Sequence, residues 1–148
     1  NDPAKAKVIA KGMIDKGIDV IYSAAGGSGA GNFAAAVDAA KYGNKVWTIG
    51  VDSDQYLTAS AAEKKNMLTS MLKRVDNAVY DVIAAATAGK KVNDPLGGGA
   101  FGRTYGLKLG GVGVSYSGGY INQYKSKIDA AAKAITAGKI KVPTTPAK

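Results

Sequence analysis

Apolar positions in the first third of the chain alternate between two spacings. Residues 2–17 and 32–40 carry apolar side chains three and four positions apart, which predicts two helices. Residues 19–22 and 46–51 are short apolar runs rich in β-branched or aromatic side chains, which predict buried strands. The order helix, strand, helix, strand, with short connections, predicts a parallel α/β sheet with right-handed crossovers.

The apolar pattern in the rest of the chain predicts two further helices and two short strands around a glycine-rich loop. Strands are predicted at 104–109 and 112–116, a last helix at 121–135, and a loosely ordered tail at 139–148. A polar connection precedes a long amphipathic helix that ends at Gly89. The apolar stripe predicted for this helix contains Leu72, Val75, Val79, Val82, Ile83 and Ala86.

Composition excludes several classes of function. The 148 residues fit one domain or part of a larger protein, and 46% hydrophobic with 21% charged residues is ordinary for a globular chain. Neither cysteine nor histidine occurs, which excludes disulfides and thiol chemistry and removes the commonest general base and metal ligand. The net charge of +9 comes from dispersed lysines without a nucleic-acid signature, so we expect a solvated basic surface and no nucleic-acid partner.

A glycine-rich turn at residues 26–31 separates the first predicted strand from the second helix. Backbone N–H groups at such a turn, together with the helix dipole, can hold an anion or a polar ligand. The turn matches neither the dinucleotide fingerprint nor the phosphate-loop pattern. A tight connection that only requires positive φ angles explains the glycines equally well.

Two carboxylates, Asp52 and Asp54, follow the second strand. In a parallel sheet they would share the carboxyl edge with the glycine turn, where ligands bind in open α/β sheets. The pair could act as acid and base, bind a metal, accept hydrogen bonds from ligand hydroxyls, or cap a turn. Without histidine or a second acidic cluster, metal-dependent hydrolysis is disfavoured. Lys73 and Arg74 begin the long predicted helix, and their spacing alone favours a solvated helix face.

Several segments carry a family resemblance. Taken together they resemble the basic membrane protein family, substrate-binding lipoproteins of ABC-type nucleoside importers of the purine nucleoside receptor type. The similarity covers nearly the whole chain. It is carried by Asn1-Asp2-Pro3 and by residues 17–21, 24–29, 49–55 and 68–76.

The resemblance implies a type I periplasmic-binding-protein fold, in which two α/β lobes hold the ligand between them. This chain would be the C-terminal half, a three-layer parallel-sheet lobe with the N-terminal lobe missing. Residues 1–57 and 90–148 would form the ligand-binding lobe. The crossover strand and helix at 58–89 would pack on the missing lobe, so we expect that lobe or a second copy of the chain to cover the apolar stripe.

The resemblance also implies a site and a role. A backbone group of Gly26 or Gly27 would contact the ligand, Asp52 would bind ribose hydroxyls, and Lys73 would also face the ligand. We expect a nucleoside ligand, favouring purines, and a membrane permease as partner. Catalysis, cofactors and metals are not expected. The full-length protein would be extracytoplasmic and anchored to the membrane as a lipoprotein.

Two alternatives stay open at this point. One is a fragment of a nucleotide-dependent α/β enzyme that uses the glycine turn for phosphate. The other is a sugar or autoinducer receptor with the same two-lobe fold, because the base-stacking aromatics of the family lie outside this chain.

Overall fold

The computed structural model describes residues 1–91, 93, 102–143 and 145. Short 3-10 turns occur at Gly26–Ser28, Gln55–Leu57, Leu107–Leu109 and Asn122–Tyr124. The helices are α1 (Pro3–Ile14), α2 (Gly29–Lys41), α3 (Ala61–Lys64), α4 (Val75–Thr87) and α5 (Lys125–Thr136). The strands are β1 (Val20–Tyr22), β2 (Trp47–Asp52), β3 (Met67–Lys73) and β4 (Val112–Val114).

The strands form one sheet in the order β1-β2-β3-β4. Strand β1 pairs parallel to β2, and β2 pairs parallel to β3. The predicted α/β arrangement with a parallel sheet is therefore confirmed. Because these three strands run in the same direction, their carboxyl ends lie at one edge of the sheet.

The chain divides into two compact units. The first unit comprises Asn1–Lys73 and Val114–Asn122, and so contains α1, α2 and strands β1 to β3. The second unit comprises Arg74–Gly113 and Gln123–Lys148, and contains α4 and α5.

The core of the first unit lies where α1 and α2 meet β1 and the start of β2. It contains Ala10, Ile14, Ile21, Ala35, Ala36 and Val46. The two helices approach so closely at Gly31 that an added Cβ would clash with the backbone carbonyl oxygen of Pro3. Helix α1 begins as predicted, with the carboxylate of Asp2 accepting a hydrogen bond from the N–H of Lys5 at 2.9 Å and with proline in the first turn.

Strand β3 differs from the sequence-based expectation. Residues 67–73 belong to the sheet of the first unit, where Met67 and Ser70 are fully buried. The crossover strand expected within 58–89 therefore lies in this lobe's own sheet, because it pairs with β2 along most of its length. Leu72, predicted on the helical stripe, is a strand residue that pairs with Asp52. The helix begins only at Val75.

The second unit leaves the stripe of α4 largely exposed, including Val75, Val79 and Ile83. Whether another lobe covers this stripe stays a prediction. The strand predicted at 104–109 is wrong, because residues 107–109 form a 3-10 turn that ends at Gly110 with φ +62°. The strand predicted at 112–116 is present but shorter. Most of residues 90–103, where the ligand-binding lobe is expected to resume, lies outside the described residues.

Candidate functional site

The carboxyl edge of the sheet gathers the predicted site residues. Asp52 is the last residue of β2 and Lys73 is the last residue of β3. The glycine turn begins four residues after β1 ends at Tyr22. Because the three strands are parallel, the turn, the carboxylate and the ammonium lie at the same edge of the first unit.

Asp52 and Lys73 form an ion pair. The Lys73 Nζ lies 2.8 Å from the Asp52 Oδ1, and both side chains are about half exposed, at 56% and 52%. The hydrogen bond to Asp52 raises the pKa of Lys73. The negative charge of Asp52 raises this pKa further, and Tyr22 also raises it. Exposed ion pairs are weak because water screens them. Groups of a ligand can therefore compete for this carboxylate.

The glycine turn is a 3-10 turn that leads directly into α2. Gly26 has φ +54°, so one glycine of this turn adopts the positive φ that explains the presence of glycine there. Within the described part of the chain, no acceptor bonds the N–H of Gly26 or Gly27. Two donors thus remain open where the turn meets the sheet edge.

The start of α1 supports this turn from behind. The N–H of Asp2 donates to the Ser28 Oγ at 2.8 Å. An added Cβ at Gly27 would lie 3.1 Å from the Asn1 Oδ1, so the Asn1 side chain lies against the turn. Sequence reasoning did not assign these contacts to the site, because a helix N-cap pattern does not indicate which loop the helix start will contact.

Asp54 does not share the position of Asp52. The Ser117 Oγ donates to the Asp54 Oδ2, which ties the carboxylate to the loop after β4. Its other oxygen, Oδ1, is buried and has no hydrogen-bond partner among the residues that the structure describes. The two acids therefore point to different partners and are not an acid/base pair. No group of three metal-ligating side chains occurs in the described ranges.

The sequence of the chain matches the family model described as "ABC transporter substrate-binding protein PnrA-like" over residues 1–146. The chain belongs to this family. The resemblance to basic membrane proteins is thereby confirmed. Members are extracytoplasmic substrate-binding proteins and not enzymes, so the expectation of no catalysis is confirmed and the enzyme alternative is set aside. No helix within the described ranges is long and apolar enough to cross a membrane.

Three relatives illustrate the match. The chain is 41% identical to the CD4+ T-cell-stimulating antigen of Listeria monocytogenes, over 99% of this chain and 42% of that protein. It is 39% identical to the ABC transporter nucleoside-binding protein BmpA of Lactococcus lactis, over 97% of this chain and 41% of that protein. It is 36% identical to basic membrane protein B of Borreliella afzelii, over 83% of this chain and 33% of that protein. The chain thus spans less than half the length of these relatives.

A solved structure shows the same fold. The ABC transporter solute-binding protein from Conexibacter woesei superposes with a TM-score of 0.67, over 96% of this chain and 43% of that one. Its sequence is 22% identical, so the likeness concerns the fold alone. The lobe of a periplasmic-binding-protein fold predicted from the sequence is therefore confirmed.

Proposed function

We propose that this chain is the C-terminal lobe of a nucleoside-binding protein that delivers its ligand to an ABC-type membrane permease. The observation that carries the proposal is the ion pair of Asp52 and Lys73 beside two open N–H groups at the carboxyl edge of the sheet. The relative named as nucleoside-binding, BmpA, supports the same class of ligand.

The chemistry of a ribose suits this edge. Two adjacent hydroxyls of a ribose can both donate to one carboxylate, and charge-assisted hydrogen bonds are stronger than neutral ones. In the absence of ligand, the ammonium of Lys73 lies against the Asp52 carboxylate. Ligand hydroxyls would share or displace it, and the lysine could then donate to another ligand oxygen. The N–H groups of Gly26 and Gly27 would donate to a further acceptor.

The remaining parts of the proposal concern the full-length protein. A second lobe would close over the ligand by a hinge motion, with the ligand preferring the closed state. That lobe would supply the aromatic side chains that stack on the base. The resemblance favours purine nucleosides. The protein would be held at the outer face of the membrane by a lipid anchor, and the permease would receive the ligand.

The test is nucleoside binding by the full-length protein that contains this chain, measured by titration calorimetry. Asp52→Ala removes the carboxylate, and Asp52→Asn removes only its charge in a side chain that tolerates positive φ. Each should weaken binding by well over tenfold, because one strong hydrogen bond already contributes about a factor of ten. Inosine, adenosine, uridine, ribose and a nucleoside monophosphate should be compared, with tighter binding of the purine nucleosides expected.

Asp15→Ala is the matched control. It removes another exposed Lys–Asp pair, with Lys11 at 2.9 Å, near the end of α1. This variant should bind nucleoside like the wild type. Wild-type affinity in both Asp52 variants would contradict the proposal, and tighter binding of ribose alone would favour a sugar receptor.

A further inference from the structure

The backbone of Asp52 has an unusual conformation. Its φ is +72°, which makes it the one described residue other than glycine with a positive φ. Side chains other than asparagine and aspartate rarely adopt this conformation, and it persists only where neighbouring contacts enforce it. The direction in which the Asp52 carboxylate points therefore depends on what fixes residues 50–53.

The ion pair with Lys73 is too weak to enforce this conformation. Both partners are about half exposed, and such pairs contribute little because water competes for the charges. The N–H of Ser53 donates to the C=O of Val51 at 2.9 Å and so closes a tight turn around Asp52. Further contacts on the buried side hold this turn against the sheet.

Gln55 makes those contacts. Its side-chain Oε1 accepts a hydrogen bond from the N–H of Val51 at 2.8 Å, and its own N–H donates to the Ser70 Oγ at 3.2 Å. Val51 is 5% exposed, Ser70 is fully buried and Gln55 is half-buried, so both bonds are partly shielded from water. A buried N–H needs an acceptor, and the side chain of Gln55 provides it.

The register of the sheet explains why a side chain is needed there. The pairing of β1 with β2 ends where Tyr22 meets Ile49. Trp47 and Ile49 make their main-chain bonds on the β1 side, and Val51 is the next residue of β2 that faces this side. Because β1 has already ended, none of the described strands accepts the N–H of Val51.

Gly50 leaves the space that the amide of Gln55 occupies. An added Cβ at Gly50 would lie 2.5 Å from the Gln55 Oε1 and 2.7 Å from the Ser70 Oγ. Real Cβ atoms do not approach so closely. A glycine, a glutamine and a serine from two strands and a turn thus interlock behind Asp52.

We propose that Gln55 is a positioning residue for the ligand site. Its amide, held between Gly50 and Ser70, fixes the end of β2 so that the carboxylate of Asp52 meets Lys73 and the ligand. The effect on affinity rests on the proposed function, whereas the effect on the Asp52–Lys73 contact does not.

The experiment uses the full-length protein and two substitutions on opposite sides of the same contact. Gln55→Ala removes the acceptor, and Gly50→Ala pushes the amide out of its place. Each should weaken nucleoside binding about tenfold or more, the factor expected from loss of one well-placed hydrogen bond. The double variant should lose less binding free energy than the sum of the two single losses, because the methyl group at position 50 occupies space that Gln55→Ala empties.

A second readout does not require ligand. The pKa of Lys73 is raised by its hydrogen bond to Asp52, so NMR titration of labelled lysine reports whether the two side chains still meet. Both variants should lower the pKa of Lys73 toward its ordinary value. Thr58→Ala removes a hydroxyl that donates to the main-chain carbonyl of Gln55 at 3.3 Å and leaves the side chain of Gln55 in place, so it should change neither readout. If Gln55→Ala does not fold, Gln55→Met keeps the bulk without the acceptor.

The outcomes separate the two proposals. A lower melting temperature with unchanged affinity and an unchanged pKa of Lys73 would show that Gln55 is only structural, and would overturn the inference. If Asp52→Asn binds nucleoside like the wild type, the proposed function fails, and the pKa of Lys73 alone decides whether Gln55 positions Asp52.

Discussion

The exposed apolar stripe of α4 allows a test of whether another lobe covers this helix in a longer protein. Val79, Val82 and Ile83 line a shallow concavity of about 260 Å³ together with Ala78. Val79 and Ile83 expose 57% and 58% of their surface. Full burial of such side chains is worth about 1.5–3 kcal/mol each, so covering the exposed half of both would contribute about 2 kcal/mol.

The substitution Val79→Gln with Ile83→Gln probes this contribution. In the isolated chain this pair should lower the free energy of unfolding by about 1 kcal/mol, because less than half of each side chain is buried and the stem of glutamine keeps part of those contacts. In the full-length protein the same pair should cost about 2 kcal/mol more than in the isolated chain, because a covering lobe would lose apolar contacts and bury two amides. Urea unfolding followed by circular dichroism measures both values.

Ala84→Gln is the control, since it changes an exposed position beside the stripe on the same helix. It should be nearly neutral in both proteins. Equal losses in the isolated chain and the full-length protein would refute the reasoning, as would no loss in the full-length protein. Light scattering adds a check on the isolated chain: if a second copy covers the stripe, the wild type should associate and the double variant should be monomeric.

Two further predictions concern the contact of α1 with α2. Gly31→Ala should destabilise the protein by about 1–3 kcal/mol, because its Cβ would clash with a backbone carbonyl oxygen of α1, whereas Gly12→Ala, with open space around it, should be neutral or stabilising in thermal unfolding. The pKa of Asp38 is lowered to about 2 by hydrogen bonds from Lys41 and Lys7, so its contribution to stability is complete above about pH 4 and is lost as the pH falls through 2. The difference in melting temperature between the wild type and Asp38→Asn should therefore shrink between pH 4 and pH 2, and a constant difference would contradict this assignment.

Periodicity alone predicted the elements that lead to the site. The helical spacing before Gly17 and the apolar runs at 19–22 and 46–51 correspond to α1, β1 and β2. Because these strands are consecutive and joined by a helix, their parallel direction followed from the helical crossover between them. The position of Asp52 at the carboxyl edge was therefore predictable.

The position of Lys73 was not predictable in the same way. Residues 67–73 mix apolar and polar side chains in a pattern that suits the start of a helix as well as a strand, and pairing with β2 decides between them. Only once residue 72 pairs with Asp52 does the lysine that follows come within 2.8 Å of the carboxylate. The family resemblance indicated that Lys73 faces the ligand, but the spacing of charges favoured a solvated helix.

The sequence by itself determined which residues have the chemistry for the proposed site and at which edge of the sheet two of them lie. Tertiary structure decided which further contacts surround Asp52. A local hydrogen bond from the N–H of Ser53 to the C=O of Val51 spans this residue, but the bond of Gln55 to Ser70, 18 residues beyond Asp52, exists only through the pairing of β3 with β2. Local propensity acts over a few neighbouring residues, whereas a buried hydrogen bond between two elements exists only after both have packed.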